Sequence, residues 1–337
     1  MKQEDGRSGG RAAIRPRLGV DLACGNWNKE TGAFRAATCK PSGTSLMASA
    51  CTEGLDTGFV ALGYAKVAVL GVVQGITELL PISSTAHMRI VPAFLGWQDP
   101  GSAFSAAMQM AALAAVITYF WSDVRGLVFG SIEAALRRDF QDWNFRFAVW
   151  IVLATIPIIV AGVLLAPILN ACGSPLRTLT VIGMSCIVMS LLMGLAELYS
   201  RPKRTMENAT LKDAMIVGVA QVGALIPGVS RSGSTLTAGL FRDFRREEAA
   251  RFSFLLGLPA IAAAGLHEFW VLHKVGLDGH GWSILLFGLV IASISAFAAI
   301  WGLLRILERF SAWPFVVYRG LMGVFLLVAV LLGWLPN

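Results

Sequence analysis

Charge is scarce in this 337-residue chain. Asp, Glu, Lys and Arg make up 15% of it, hydrophobic residues 55%, and the mean hydropathy is +0.65. Soluble domains carry about 25% charged residues, so a water-soluble globule is excluded. Cysteine is also rare. Cys24, Cys39, Cys51, Cys172 and Cys186 show no CxxC or Cys/His spacing, which argues against a disulfide framework and a thiolate metal site. Residues 1–57 lack any sustained apolar run, and with it the core of a secretory signal peptide. Rich in Gly, Arg, Ser and Thr, this segment is expected to be disordered, or to arise from translation upstream of a start at Met47.

The net charge of +7 is not a nucleic-acid footprint, because the cations sit mostly in loops between apolar runs, where they set membrane topology. Nucleic acid is therefore not an expected partner, and the lipid bilayer is. Apolar runs cover 103–121, 147–169, 176–197, 252–272, 282–304 and 314–336. Each is about 20 residues, enough for a tilted transmembrane helix. Trp121, Trp270, Trp282, Trp313 and Trp334 fall near their ends, where amphipathic rings favour the interface.

Two segments behave differently. Residues 59–80 and 214–228 are apolar but run into proline and a polar cluster, followed by short helix-compatible pieces at 85–96 and 232–241. Helix, break and short helix predict a re-entrant hairpin, which is tolerated at membrane depth only when buried in protein or lining a wet cavity. The two segments resemble each other. GVVQ at 71–74 matches GVAQ at 218–221, and Ser83 matches Ser230, both at an offset of 147. Phe104-Ser105 matches Phe252-Ser253 at an offset of 148.

Together these matches predict an internal duplication. The expected fold is an all-α polytopic membrane protein with one membrane domain, 58–337. Repeat one covers 58–199 and repeat two 210–336, each a re-entrant helical hairpin plus three transmembrane helices. Three crossings are odd, so the second repeat is inverted relative to the first, an arrangement that brings broken helices together near the midplane.

Loops 122–146, 199–213, 242–251 and 305–313 then share one face. They hold Arg125, Arg137, Arg138, Arg146, Arg201, Lys203, Arg204, Lys212, Arg242, Arg245, Arg246, Arg251, Arg305 and Arg309. The loops between spans on the other face hold only Arg177 and Lys274. The positive-inside rule makes the first face cytoplasmic and both termini periplasmic. The Lys and Arg residues of 1–57 fit that orientation poorly.

Ionisable groups at membrane depth cost about 2.5–3.5 kcal/mol each on insertion scales, so they need a partner or a function. Gln74 and Glu78 are four apart and share a helix face. His87 follows the break, beside Ser83, Ser84 and Thr85. In the second hairpin, PGVSRSGST (227–235) offers Ser230, Arg231, Ser232, Ser234 and Thr235 around two glycines. Backbone N–H groups at the start of the helix that follows favour anions, and Arg231 adds a planar fork suited to phosphate. Bringing the hairpins together predicts a phosphate clamp (Arg231), a metal-binding carboxylate (Glu78), an acid/base (His87) and a candidate nucleophile (Ser84). Such a set supplies the positioning and charge neutralisation that phosphoryl transfer needs. Plainer roles stay open at this stage: Glu78 as ion-pair partner of Arg231 or Arg89, His87 as a cap on the break, and Ser84 as a helix N-cap.

QGITELLPISSTAH (74–87) resembles the (E/Q)xxxE…PxSSTxH signature of the undecaprenyl-diphosphatase family, bacterial enzymes linked to bacitracin resistance. PGVSRSGST resembles its second signature, PGxSRSxxT. FSFLLGLP (252–259) and PFVVYR (314–319) follow in order, and the resemblance covers about 58–336. It implies a bacterial inner-membrane enzyme that hydrolyses the terminal phosphoanhydride of a polyprenyl diphosphate lipid with a divalent metal, Mg²⁺ or Ca²⁺. It further implies the metal at Glu78 with Gln74, the diphosphate on Arg231, proton transfer by His87 and attack by Ser84. Ser83, Thr85, Ser230, Ser232 and Thr235 are then substrate-binding positions, and a homodimer is an open alternative to a single chain.

Two departures stand out. Gln74 occupies a position where many members carry a second Glu, and Ala86 one where Gly is expected; Ala fits there only with negative φ. A polyprenyl-phosphate transporter or flippase is the rival reading, since paired re-entrant hairpins also suit transport. Binding alone does not require the Glu78, Ser84 and His87 set. A lipid-phosphatase signature of the SR…H kind is a poor fit, because no histidine follows SRSGST until His267.

Overall fold

The computed structural model describes residues 25–27, 34–36, 58–98, 100–169, 176 and 178–335. The chain divides into two units, Met1–Thr52 and Glu53–Asn337. In the first, β1 (Gly25–Trp27) and β2 (Phe34–Ala36) pair antiparallel with Asn26 opposite Arg35. The rest of residues 1–57, including Met47, lies outside the described residues.

The described part of the second unit is helical. Its elements are α1 (Phe59–Leu79), α2 (Ser84–Phe94), α3 (Ser102–Ala107), α4 (Gln109–Tyr119), α5 (Trp121–Arg125), α6 (Ser131–Leu136), α7 (Trp143–Leu169), α8 (Leu179–Tyr199), α9 (Leu211–Val222), α10 (Arg231–Phe241), α11 (Arg246–Val275), α12 (Gly279–Arg309) and α13 (Trp313–Leu331). Among the described residues six helices, α1, α7, α8, α11, α12 and α13, are long and apolar enough to cross a membrane. Their outer faces carry large aliphatic side chains such as Val163 (70% exposed), Leu164 (71%) and Ile294 (67%). Patches of that kind belong against lipid, not water.

The expected span 103–121 is not one straight helix. It is interrupted at Met108, and at Phe120 the chain turns by 86° into the stretch Trp121–Leu136. That stretch passes through a π-helical turn at Gly126–Gly130 and carries exposed Trp121, Phe129 and Leu136 beside Arg125 and Arg137. Apolar and cationic residues so interleaved suit a helix lying along the membrane surface. Part of the loop expected at 122–146 is therefore helical.

Both hairpins end their first helix as proline dictates. Leu80 is extended before Pro81, and Ile226 is extended before Pro227; a residue before proline is pushed out of the α region. The chain then reverses through Ser83 (φ 73°) and Ser230 (φ 65°), each immediately before an 11-residue helix. Positive φ at a non-glycine residue is uncommon and marks stored strain. Four helix pairings frame the fold: α1 packs on α12, α9 on α7, α8 on α13 and α4 on α11. Close approach depends on small residues. A Cβ on Gly183 of α8 would stand 3.1 Å from the Gly323 carbonyl of α13, and one on Gly323 would stand 2.7 Å from the Gly183 carbonyl.

The arginine-rich face is tied by buried and half-buried acids. Asp213, fully buried at the start of α9, accepts from Arg204 Nη2 (2.6 Å) and Arg242 Nε (2.7 Å) and closes a capping box with Thr210. Glu197 accepts from Arg246, and Asp123 from Arg251. Burial works against the charged form of Asp213, but the bonds from Arg204, Thr210 and Arg242 outweigh it and hold the carboxyl well below the usual carboxylate range. A depressed folded pKa contributes stability that is present above the unfolded value and lost as pH falls through the folded one. Asp213→Asn should therefore cost about 3–5 kcal/mol at neutral pH and flatten the acid side of the stability profile. Unfolding midpoints in detergent from neutral to strongly acid pH read this. A variant that tracks wild type throughout would remove Asp213 as the tie.

Candidate active site

The two hairpin tips meet inside the helical unit. Glu78, 7% exposed, lies in the last turn of α1. Its Oε2 accepts from Gln74 Nε2 at 3.0 Å and from Ser84 Oγ at 2.7 Å, and its Oε1 faces Arg231 Nη2 at 3.4 Å. One carboxylate thus joins the preceding turn of its own helix, the first residue of α2 and the first residue of α10. The Arg231 guanidinium is held loosely: among the described residues its only other bond is Nη1 to the Gly257 carbonyl at 3.5 Å. A Cβ at Gly257 would stand 3.0 Å from that Nη1, which explains a glycine in FSFLLGLP.

The hydroxyls of the second tip mostly brace backbone. Ser230 caps α10 by accepting from the Gly233 N–H at 3.3 Å. Ser232 donates to the Glu78 and Leu80 carbonyls at 3.3 and 3.1 Å, satisfying the end of α1 from across the interface. Ser234 and Thr235 donate to the Arg231 carbonyl at 3.0 and 2.8 Å, and Thr235 also meets Ser253 on α11. Ser83 is buried and its Oγ has no hydrogen-bond partner among the described residues. Thr85 is exposed and joins no hydrogen bond among the described residues. Ala86 is fully buried in the first turn of α2 with negative φ, so it meets the condition the sequence sets for it.

His87 sits near the cluster but bonds elsewhere. Its Nδ1 is 2.8 Å from the Ser83 carbonyl and its Nε2 2.7 Å from the Tyr318 hydroxyl. The hydroxyl of Ser84 is directed at Glu78, not at His87.

Two residues of α13, the last two of PFVVYR, to which the sequence assigns no role, complete the arrangement. Tyr318 is one. The other is Arg319, fully buried, whose guanidinium donates to the Pro81 carbonyl at 3.2 Å, to the Gly228 carbonyl at 2.5 Å and to the Val229 carbonyl. It clamps both tips at once. A Cβ on Gly233 would stand 2.5 Å from Arg319 Nη1. The rule that an ionisable residue inside an apolar span marks function or structure would have singled Arg319 out within 314–336.

A divalent metal can be tested against these groups. Among the described residues no set of three or more His, Cys, Asp or Glu side chains could hold one. Yet Gln74 Oε1 is buried with no hydrogen-bond partner among the described residues, on the amide whose nitrogen bonds the Glu78 carboxylate. An orphaned amide oxygen beside a carboxylate is a hard-oxygen pair of the kind Mg²⁺ and Ca²⁺ take, so the residues fit such an ion.

These features define a polytopic membrane protein with a carboxylate, hydroxyl and guanidinium site enclosed between two hairpin tips. The family model described as bacitracin resistance protein BacA matches residues 67–325. Undecaprenyl-diphosphatase 2 of Mesorhizobium japonicum is 74% identical over 262 residues, 78% of this chain and 99% of that protein. The undecaprenyl-diphosphatases of Gloeobacter violaceus and Trichormus variabilis are 47% and 44% identical over 276 and 290 residues, covering 95% and 91% of their lengths and 82% and 86% of this chain. The chain belongs to the BacA family.

Removing the Arg319 clamp should leave the Pro81 and Val229 carbonyls without their guanidinium donors, each costing about 1–3 kcal/mol, and the Gly228 carbonyl with only the weak Cys186 thiol. Arg319→Met is expected to lower the thermal midpoint sharply in detergent, followed by tryptophan fluorescence. An unchanged midpoint would show that the tips hold each other without it.

Proposed function

We propose that this chain hydrolyses undecaprenyl diphosphate to undecaprenyl phosphate and inorganic phosphate, so recycling a lipid carrier for cell-wall synthesis and conferring bacitracin resistance. The observation that carries this reading is the Glu78 carboxylate, bonded to the Ser84 hydroxyl and set against the Arg231 guanidinium in a largely enclosed site. A transporter needs the guanidinium but not a hydroxyl aligned on a carboxylate.

In this reading Arg231 binds the diphosphate. Its two contacts, at 3.4 and 3.5 Å, are long enough to yield to phosphate oxygens, and the first N–H groups of α10 add donors. Glu78 takes the proton of the Ser84 hydroxyl, or of a water in its place, as that oxygen bonds to the terminal phosphorus and the phosphoanhydride bond breaks, with undecaprenyl phosphate as the leaving group. Water attack gives inorganic phosphate directly; Ser84 attack gives a phosphoserine that a water then hydrolyses to inorganic phosphate. Ser232 and Ser230 keep the two tips in register. Gln74 and Glu78 are the residues that would hold a divalent cation, Mg²⁺ or Ca²⁺, which would supply charge neutralisation at the phosphoryl oxygens. His87 serves proton transfer.

The same reading includes an inverted duplication. Supporting it are the two strained serines at an offset of 147 and helix pairings that exchange under it: α1 with α12 answers α9 with α7, while α8 with α13 and α4 with α11 answer themselves. The arginine-rich loops are taken as cytoplasmic and the termini as periplasmic.

Phosphate release from undecaprenyl diphosphate in detergent should be rapid with Mg²⁺ and vanish with EDTA; a protein that releases none under either condition leaves only the transport reading. A second test concerns the guanidinium. Arg231→Ala should abolish turnover, and Arg231→Lys should restore little, because a point charge does not reproduce the bidentate fork. Near-wild-type kcat/KM in the lysine variant would contradict the clamp assigned to Arg231.

A further inference from the structure

Tyr318 contributes no charge and lies in PFVVYR, a stretch to which the sequence assigns no role, yet it meets His87 in two ways. Its hydroxyl lies 2.7 Å from Nε2, and its ring lies 8° from parallel to the imidazole with centroids 5.8 Å apart. The other imidazole nitrogen, Nδ1, faces the Ser83 carbonyl at 2.8 Å. A carbonyl only accepts, so in the neutral ring Nδ1 carries the hydrogen and Nε2 the lone pair. The Tyr318 O–H is then the donor to Nε2.

That assignment constrains the chemistry of His87. A backbone carbonyl passes no proton onward, so any proton that reaches or leaves the imidazole does so at Nε2. The group in front of Nε2 is the Tyr318 hydroxyl. Tyr318 is itself fixed, since the next residue, Arg319, is bound to carbonyls of both hairpin tips. The position of the histidine therefore depends on two rigid references: the strained Ser83 backbone on one side and α13 on the other.

We infer that Tyr318 is a positioning residue for the reaction, holding the His87 ring at Nε2 and setting the direction from which that nitrogen exchanges its proton. The inference rests on the phosphatase reading above and on His87 serving proton transfer within it.

Tyr318→Phe keeps the stacked ring and removes only the hydroxyl. Two measurements on the full-length protein in detergent test the inference: steady-state phosphate release from undecaprenyl diphosphate, and the ¹⁵N shifts of His87 in histidine-labelled protein, identified by comparison with His87→Gln. The expected result is a kcat lowered about tenfold or more, a KM within about twofold, and an Nε2 resonance moved toward that of an imine nitrogen without a donor. An unchanged Nε2 resonance, or an unchanged kcat in a variant that melts like wild type, overturns the inference. So does a loss confined to KM. Wild-type protein that releases no phosphate would instead fail the phosphatase reading, and the Nε2 shift would still decide whether Tyr318 holds the ring.

Discussion

Two chain reversals at membrane depth expose backbone carbonyls that lipid cannot satisfy. Proline forces both reversals, at Pro81 and Pro227, and neither hairpin supplies all the donors its own tip needs. The guanidinium of Arg319 reaches the Pro81, Gly228 and Val229 carbonyls together, and Ser232 crosses from the second tip to the Glu78 and Leu80 carbonyls of the first. The contact between Glu78 and Arg231 is a consequence of this backbone bonding. With the tips locked, the carboxylate and the guanidinium are held a few ångströms apart even though their own contact is long.

Under the proposed duplication the scaffold is nearly symmetric but the site is not. Gln221 stands where Gln74 does, 147 residues on, and is likewise buried. At the same offset from Glu78 the chain carries Leu225, and from Arg231 it carries Ser84. Each half supplies a different reactive group at the same structural position. Gln221 has neither polar atom bonded among the described residues, so the second half keeps the amide without the carboxylate that would give it a partner.

Much of this architecture was legible in the sequence. The apolar runs, the two proline breaks and the short helices after them lie within a few residues of α1, α2, α9 and α10, because length and proline chemistry set them locally. The expected span at 103–121 matches helical chain from Ser102 to Tyr119; what hydropathy does not record is the 86° turn at Phe120 into a further helical stretch, Trp121–Leu136. In the site, Gln74, Glu78, Ser84 and Arg231 were picked out because costly groups in an apolar context are conspicuous, and the structure brings them together. Tyr318 and Arg319 were missed. Tyrosine is common at span ends, and Arg319 sits in a helix with no break or polar cluster to draw attention to it. Only the folded arrangement reveals that α13 carries the clamp and the partner of His87.

The clamp also bears on how the protein is made. The Pro81 carbonyl and its donor on Arg319 are 238 residues apart in the chain. At about 5–20 residues per second of synthesis, the first hairpin enters the membrane on the order of ten to fifty seconds before the helix that completes it. During that interval its tip must be kept wet or sheltered by the insertion machinery. α13 is therefore the part whose arrival ties the two hairpin tips into one assembled site.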